Sequence, residues 1–200
     1  MRMLVLAIFL ISTVISAEPK NKGTNVNPGG EKMERFSTEK PIWDFLYKNL
    51  GNKFAAAGMM GNLYAESRLQ SADLEKKFER SLGMDDKTYT KKVDNGSYKN
   101  FCTDKAGYGL VQWTYKTRKC KLLEYAKSKN KSIGDMNMQL EFFFKELSEK
   151  YPKILKKIKK AKSVKQASDV IVLEYEIPRD HGSRVRELRA NYGRFYYNIF

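Results

Sequence analysis

Residues 51–69 read GNKFAAAGMMGNLYAESRL, and the fold turns on how this stretch is read. Gly51 breaks the chain, and residues 53–69 then carry the composition of a helix. Gly58 and Gly61 each cost such a helix ~1 kcal/mol relative to alanine, so something must compensate for them. With Phe54, Ala57 and Ala65 at steps of three and four, the glycines form a flat ridge on which another helix can lie closely. Met59 and Leu63 stand seven and three residues before Glu66, so this single carboxylate shares their apolar stripe. That withdraws it partly from water, the setting in which a carboxyl can serve as a proton donor. The plainer alternative is a helix-end glutamate paired with Arg68 or a nearby lysine.

Outward from this stretch the pattern stays helical and shows almost no alternating strand signal. Ser37 or Thr38 can cap a first helix with Pro41 in its first turn, and Ile42, Phe45, Leu46 and Leu50 form its apolar face. Helices are expected over 118–129, 137–150, 152–160, 164–177 and 183–199. Residues 71–104 resist assignment: LEKKFERSLG reads as helix and DDKTYTKKVDNGSYKNF as a turn-rich excursion. The expected fold class is therefore mostly α, one domain with one irregular lobe. In KYPKILKKIKKAKSVK, Ile154, Leu155 and Ile158 recur at helical spacing among the lysines, which predicts a surface helix with its apolar stripe on the core.

A chain of 200 residues with 42% apolar content can bury one sizeable core. Residues 1–17, MRMLVLAIFLISTVISA, have a basic Arg2, an apolar run and small residues Ser16 and Ala17, and read as a signal peptide. The run is short for a membrane span, so export into a secreted, soluble form is expected. Residues 18–38 are polar and rich in Gly, Pro and Asn, and read as a flexible linker before a domain over 39–200. The formal net charge is +15, falling to about +14 once Arg2 leaves with the leader. Such a chain attracts anionic partners. No helix-turn-helix or aromatic-basic sheet signature points to nucleic acid, and no stable membrane insertion is expected. Asn95 and Asn130 stand in Asn-Gly-Ser and Asn-Lys-Ser sequons.

Cys102 and Cys120 are the two cysteines. In an exported chain they are expected to bridge, and the 17 residues between them make a loop worth about 3 kcal/mol in the chain-entropy model. Two cysteines and one distant histidine, His181, fall short of a zinc site, so no metal or other cofactor is expected. The enclosed loop contains AGYGLVQWTY, residues 106–115, whose Tyr108, Gln112, Trp113 and Tyr115 offer flat faces and an amide suited to carbohydrate. Leu110 and Val111 read as core, and for Trp113 core is the alternative. No Gly-Lys-Ser/Thr follows, which excludes a phosphate loop.

AAAGMMGNLYAESRL followed by GYGLVQWT resembles the motif pair of the phage tail lysozyme family. More broadly, a helix ending in Glu-Ser and a later Gly-Leu-x-Gln is similar to lytic transglycosylases and goose-type lysozymes. The likeness continues through SLGMDDKTYTKKVDNGSYKNF, KSIGDMNMQLEFFFKEL and EYEIPRDHGSRVRELRANYGRFYY, and so covers about residues 40–200. It implies a lysozyme-like α domain, α+β at most, that degrades peptidoglycan as a bacteriolytic glycosidase, with anionic cell-wall polymers as further partners. Glu66 would be the general acid between N-acetylmuramic acid and N-acetylglucosamine. Gln112 would sit in the groove, and Tyr108 and Trp113 would line it. The two cysteines depart from the family pattern.

Glycoside hydrolysis ordinarily uses two carboxylates, and the sequence marks only Glu66. Asp104 and Asp94 are the acids available near the groove as a second, with turn capping as the other reading for each. With neither, the muramoyl C6 hydroxyl could attack instead and give an anhydro product, so lysozyme and lytic transglycosylase both stay open. A basic binding protein without turnover is the remaining function class. In EYEIPRDHGSR, His181 reads as a solvated turn residue, and Arg184, Arg186 and Arg189 as contacts to peptide stems or to Glu187. The chain is expected to be a monomer.

Overall fold

The computed structural model describes residues 28–178 and 180–200, with side chains from residue 37 onward. The expected signal peptide and residues 18–27 of the expected linker lie outside the described residues. Helix α1 spans Pro28–Leu50, α2 Lys53–Ser67, α3 Lys76–Leu82, α4 Asp86–Asp94, α5 Lys116–Ser128, α6 Met136–Lys150, α7 Pro152–Lys159, α8 Val164–Ile171 and α9 Ser183–Ile199. Among the described residues no extended strand forms; two isolated bridges join Tyr108 to Leu74 and to Trp113.

The ridge on α2 does what its glycines imply. A Cβ on Gly58 would come within 2.6 Å of the Ala167 Cβ on α8, and one on Gly61 within 2.4 Å of the Gly193 nitrogen on α9. α2 is therefore the central helix, packed against α8, α9 and α1 and buried from Ala55 to Leu63. Its start is fixed by Asn52, whose side chain accepts from the Phe54 and Ala55 amides and donates to the Lys159 and Ala161 carbonyls. One cap thus closes α2 and ties it to the end of α7. Its end is fixed by Arg68 and Leu69, both left-handed at φ 55° and 64°, and by the Ser67 hydroxyl donating to the Leu110 carbonyl at 3.1 Å.

Three local expectations need correction. α1 begins at Pro28, so Pro41 lies inside it and residues 28–38 are helical. DDKTYTKKVD is not turn-rich: Asp85 accepts from the Thr88 amide at 2.7 Å, and Tyr89 and Val93, one turn apart, are buried, so this stretch is the amphipathic α4. The helix expected over 164–177 is α only to Ile171, then winds one π turn over Val172–Glu176. In α7, Ile158 is buried and Ile154 and Leu155 pack on the core, as the lysine-rich pattern predicts.

Candidate active site

The segment 104–115 is held from both sides. Glu75 and Gly107 exchange two hydrogen bonds, amide to carbonyl at 2.9 Å and amide to carboxylate at 3.0 Å. Gly109, at φ 76°, lies against Gln139; a Cβ there would come within 2.6 Å of the Gln139 side-chain oxygen, which accepts from the Leu110 amide. Only glycine combines that backbone angle with so close an approach. Cys102 and Cys120 are joined, with Cα atoms 5.0 Å apart, and tie the segment to α5.

This arrangement turns the aromatic residues inward. Tyr108 and Trp113 are fully buried; the Tyr108 hydroxyl bonds to that of Thr90 at 2.6 Å, and the Trp113 ring nitrogen donates to Glu146 at 3.3 Å. They cannot present faces to a sugar, contrary to expectation, because the Tyr108–Trp113 bridge directs both side chains into the core. Asp104 is corrected likewise. Its carboxylate is buried and accepts from Lys119 at 2.6 Å, from the hydroxyls of Tyr89 and Tyr98, and from the Ala106 amide at 3.0 Å. Asp94 caps the turn at Ser132 and Ile133, the alternative read for it.

Glu66 does reach a cavity. At the end of α2 it opens, with Glu75, Gln112, Tyr115, Arg118 and Glu176, onto a hollow of about 460 Å³. Two larger hollows, about 670 and 730 Å³, are lined by carboxylates mainly committed to structure, with Glu124 beside them: Glu146 and Glu149 bind Arg118 and Lys145, while Asp86 and Asp94 cap backbone amides. Glu66 pairs with Arg189 of α9 at 2.6 Å, not with Arg68, whose guanidinium lies over the Tyr64 ring. Arg189 also donates to Asn62 at 3.3 Å, which in turn donates to Ser168, so α2, α8 and α9 jointly hold the cation.

Gln112 occupies the cavity wall at φ 48°, its amide donating to the Asp73 carboxylate at 2.9 Å and to the Gly109 carbonyl. Burial and the nearby Asp86 charge push the Asp73 carboxyl up to about 6. Arg118, also at the cavity, grips Glu146 through two bonds, 2.7 and 2.8 Å, and the Tyr175 hydroxyl donates to the same carboxylate at 2.7 Å. Burial and the facing Glu66 carboxylate push the half-buried Glu176 up to about 8.

A closed helix end thus delivers Glu66 to a cavity shared with Glu176 of a separate element, and the sequence over residues 37–200 matches the family described as phage tail lysozyme. The chain belongs to the phage tail lysozyme family. It is a lysozyme-like glycoside hydrolase that degrades peptidoglycan. No curated protein matches the chain. The match spans Glu66 of α2, the 104–115 segment, Arg118 of α5 and Glu176 of the π turn, which line the cavity, and α9, whose Arg189 pairs with Glu66. Sequence reasoning missed Glu75, Arg118 and Glu176 as cavity residues. For Glu176 a signal existed: an acid directly before Ile-Pro, where a helix has to stop.

Proposed function

We propose that this lysozyme-family chain cleaves the bond between N-acetylmuramic acid and N-acetylglucosamine, with Glu66 as general acid. The observation that carries the reading is the placement of Glu66. It ends a helix packed on three others, its side chain is only 18% exposed, and it opens into the cavity that also holds Glu176 and Gln112. A carboxyl so fixed can meet the glycosidic oxygen without reorganising. As the bond lengthens the proton passes to the leaving sugar, positive charge grows at the muramoyl C1, and Glu66 is left as an anion beside Arg189. That ion pair stabilises the carboxylate the step creates. Water then attacks C1 and its proton returns to the carboxylates of the site, which restores the starting state.

Gln112, anchored through its amide nitrogen, supplies a polar edge for a sugar or for the water. Tyr115, exposed at 74%, is the aromatic of the 106–115 segment left available for stacking. The positive charge draws the protein to the anionic polymers of the bacterial wall, and the leader with the disulfide supports action outside the cell. Among the described residues no helix is long and apolar enough to cross a membrane. Mass spectrometry of muropeptides from a purified wall digest tests the reading. New reducing ends on N-acetylmuramic acid are expected. Ends on N-acetylglucosamine would contradict the bond assignment, and anhydro-muramoyl ends would replace water by the C6 hydroxyl as the nucleophile.

A further inference from the structure

Glu176 sits where the chain departs from regular helix. In the π turn Val172–Glu176 the Ile177 amide reaches back to the Val172 carbonyl at 2.9 Å. Such turns add a residue to the helical repeat and are frequent at functional sites. Here the turn buries Tyr175 against Arg118 and Glu146 while Glu176 faces the cavity. Ile177 then takes the left-handed region at φ 44°, an outlier for a β-branched residue and a strain that must be held by its surroundings. Pro178 completes the cavity wall, and the His181 ring donates to its carbonyl.

The charges around Glu176 come from four elements: Glu66 on α2, Arg118 on α5, Glu146 on α6 and Arg189 on α9. Glu75 and Tyr115 share the cavity wall, and Glu75 is paired with Lys77. Arg118 is bound to Glu146 and Arg189 to Glu66. Three carboxyls thus face two guanidinium groups, both committed, and among the described residues none donates a hydrogen bond to Glu176. Like charges so placed do not both ionise readily.

We propose that Glu176 is a positioning residue for the catalytic proton: as the third carboxyl facing two guanidinium groups already committed to Glu146 and Glu66, it holds a proton in the cavity that Glu66 delivers to the glycosidic oxygen. The inference rests on the reading of Glu66 as the acid. It supplies what that reading leaves open, a source in the cavity for the proton that Glu66 passes on while paired with Arg189. Burial and the facing Glu66 charge push the Glu176 carboxyl up to about 8, so Glu176 holds a proton beside Glu66 at neutral pH. In the reaction the pair loses that proton to the leaving oxygen and regains it from the attacking water, so no other proton source is needed.

Two measurements test this. In Glu176→Gln the like charge is gone, and the alkaline limb of kcat/KM should fall by roughly 2 units or more from near pH 8, raising the ratio of activity at pH 5 to that at pH 8 at least about ten-fold. Glu176→Asp should restore the alkaline limb in part. Independently of turnover, carbon-13 NMR of carboxyl-labelled glutamates should show a titration near pH 8 in the wild type that moves to lower pH in Glu66→Gln. An unmoved NMR titration in that variant, or a loss of activity in Glu176→Gln that is equal at every pH, overturns the inference. Full turnover by Glu66→Gln would instead remove the acid itself, so the two failures are distinguishable.

Discussion

Replacing Gly61 by alanine puts the α2–α9 contact to its sharpest test, because propensity and packing predict opposite signs. In an isolated helix the change gains about 1 kcal/mol. In this fold the new methyl would stand 2.4 Å from the Gly193 nitrogen, 2.5 Å from the Arg189 carbonyl oxygen and 2.8 Å from the Gly193 Cα. All three are backbone atoms, so no rotamer change relieves them. Ordinary contact starts at 3.4 Å, and α9 must therefore withdraw by about 1 Å over the turn that carries Arg189. Overpacking of this kind costs about 1–3 kcal/mol and sometimes more. Both backbones are helical and neither can yield locally, so the upper end applies and a net loss of about 2 kcal/mol remains after the propensity gain. For a domain of this size that is a fall of roughly 4–8 °C in Tm. The withdrawal also stretches the Glu66–Arg189 pair, so wall-clearing activity of the folded variant should fall as well. Thermal unfolding followed by circular dichroism, with activity normalised to folded protein, is the assay. A variant as stable as the wild type, or more stable, would refute the close packing of α2 on α9.

Asp104→Asn should behave as a stability mutation: it leaves Lys119 buried without its counter-charge, at a cost of about 3–5 kcal/mol, while activity per folded molecule, read in cells kept well below the midpoint, stays within about three-fold, since Asp104 does not touch the cavity. Reduction of Cys102–Cys120 should lower stability by about 2–4 kcal/mol, read from urea midpoints with and without reductant; an unchanged midpoint would contradict the bridge. The carboxyls of Glu176 and Asp73 are raised in the folded state, to about 8 and about 6, so the fold binds their protons more tightly than the unfolded chain does. Their contribution is complete below the ordinary carboxylate range and is lost as pH rises through 6 and then 8. Urea midpoints at pH 5, 7 and 9 should therefore decline across this window, and less so in Glu176→Gln; an equal decline in both would refute the raised Glu176.

The helices that build the cavity were legible because their residues say one thing at several levels. Gly58 and Gly61 predicted a close helix partner, and two helices lie there; the Met59, Leu63 and Glu66 stripe predicted a carboxylate at the edge of the core. The lysine-interleaved stripe of α7 and the cysteine pair were equally local signals. The aromatic segment misled because Tyr108 and Trp113 carry the same side chains whether they stack on sugar or fill a core. What decides is the bridge between them and the anchoring of Gly109 on Gln139, thirty residues downstream, and no local pattern encodes that. Asp104 was misread for the same reason, its partner Lys119 being distant in sequence and looking like one more surface lysine. α4 was hidden by its density of turn-forming residues, although the Asp85 cap and the Tyr89–Val93 spacing were present. Glu176 depends on a π turn, which shifts the facing side of a helix by one residue and leaves no periodic trace.

The central claim is that Glu66 supplies the proton that breaks the glycan, and Glu66→Gln tests it most directly. The amide keeps the shape and still offers an oxygen to Arg189, so the fold should persist, with a Tm close to that of the wild type. Incubated with purified peptidoglycan and followed by muropeptide mass spectrometry, the wild type should release products with new muramoyl ends, and the variant should release none above background, a loss of at least about 100-fold. Release of the same products at a comparable rate by a folded Glu66→Gln protein would contradict the account.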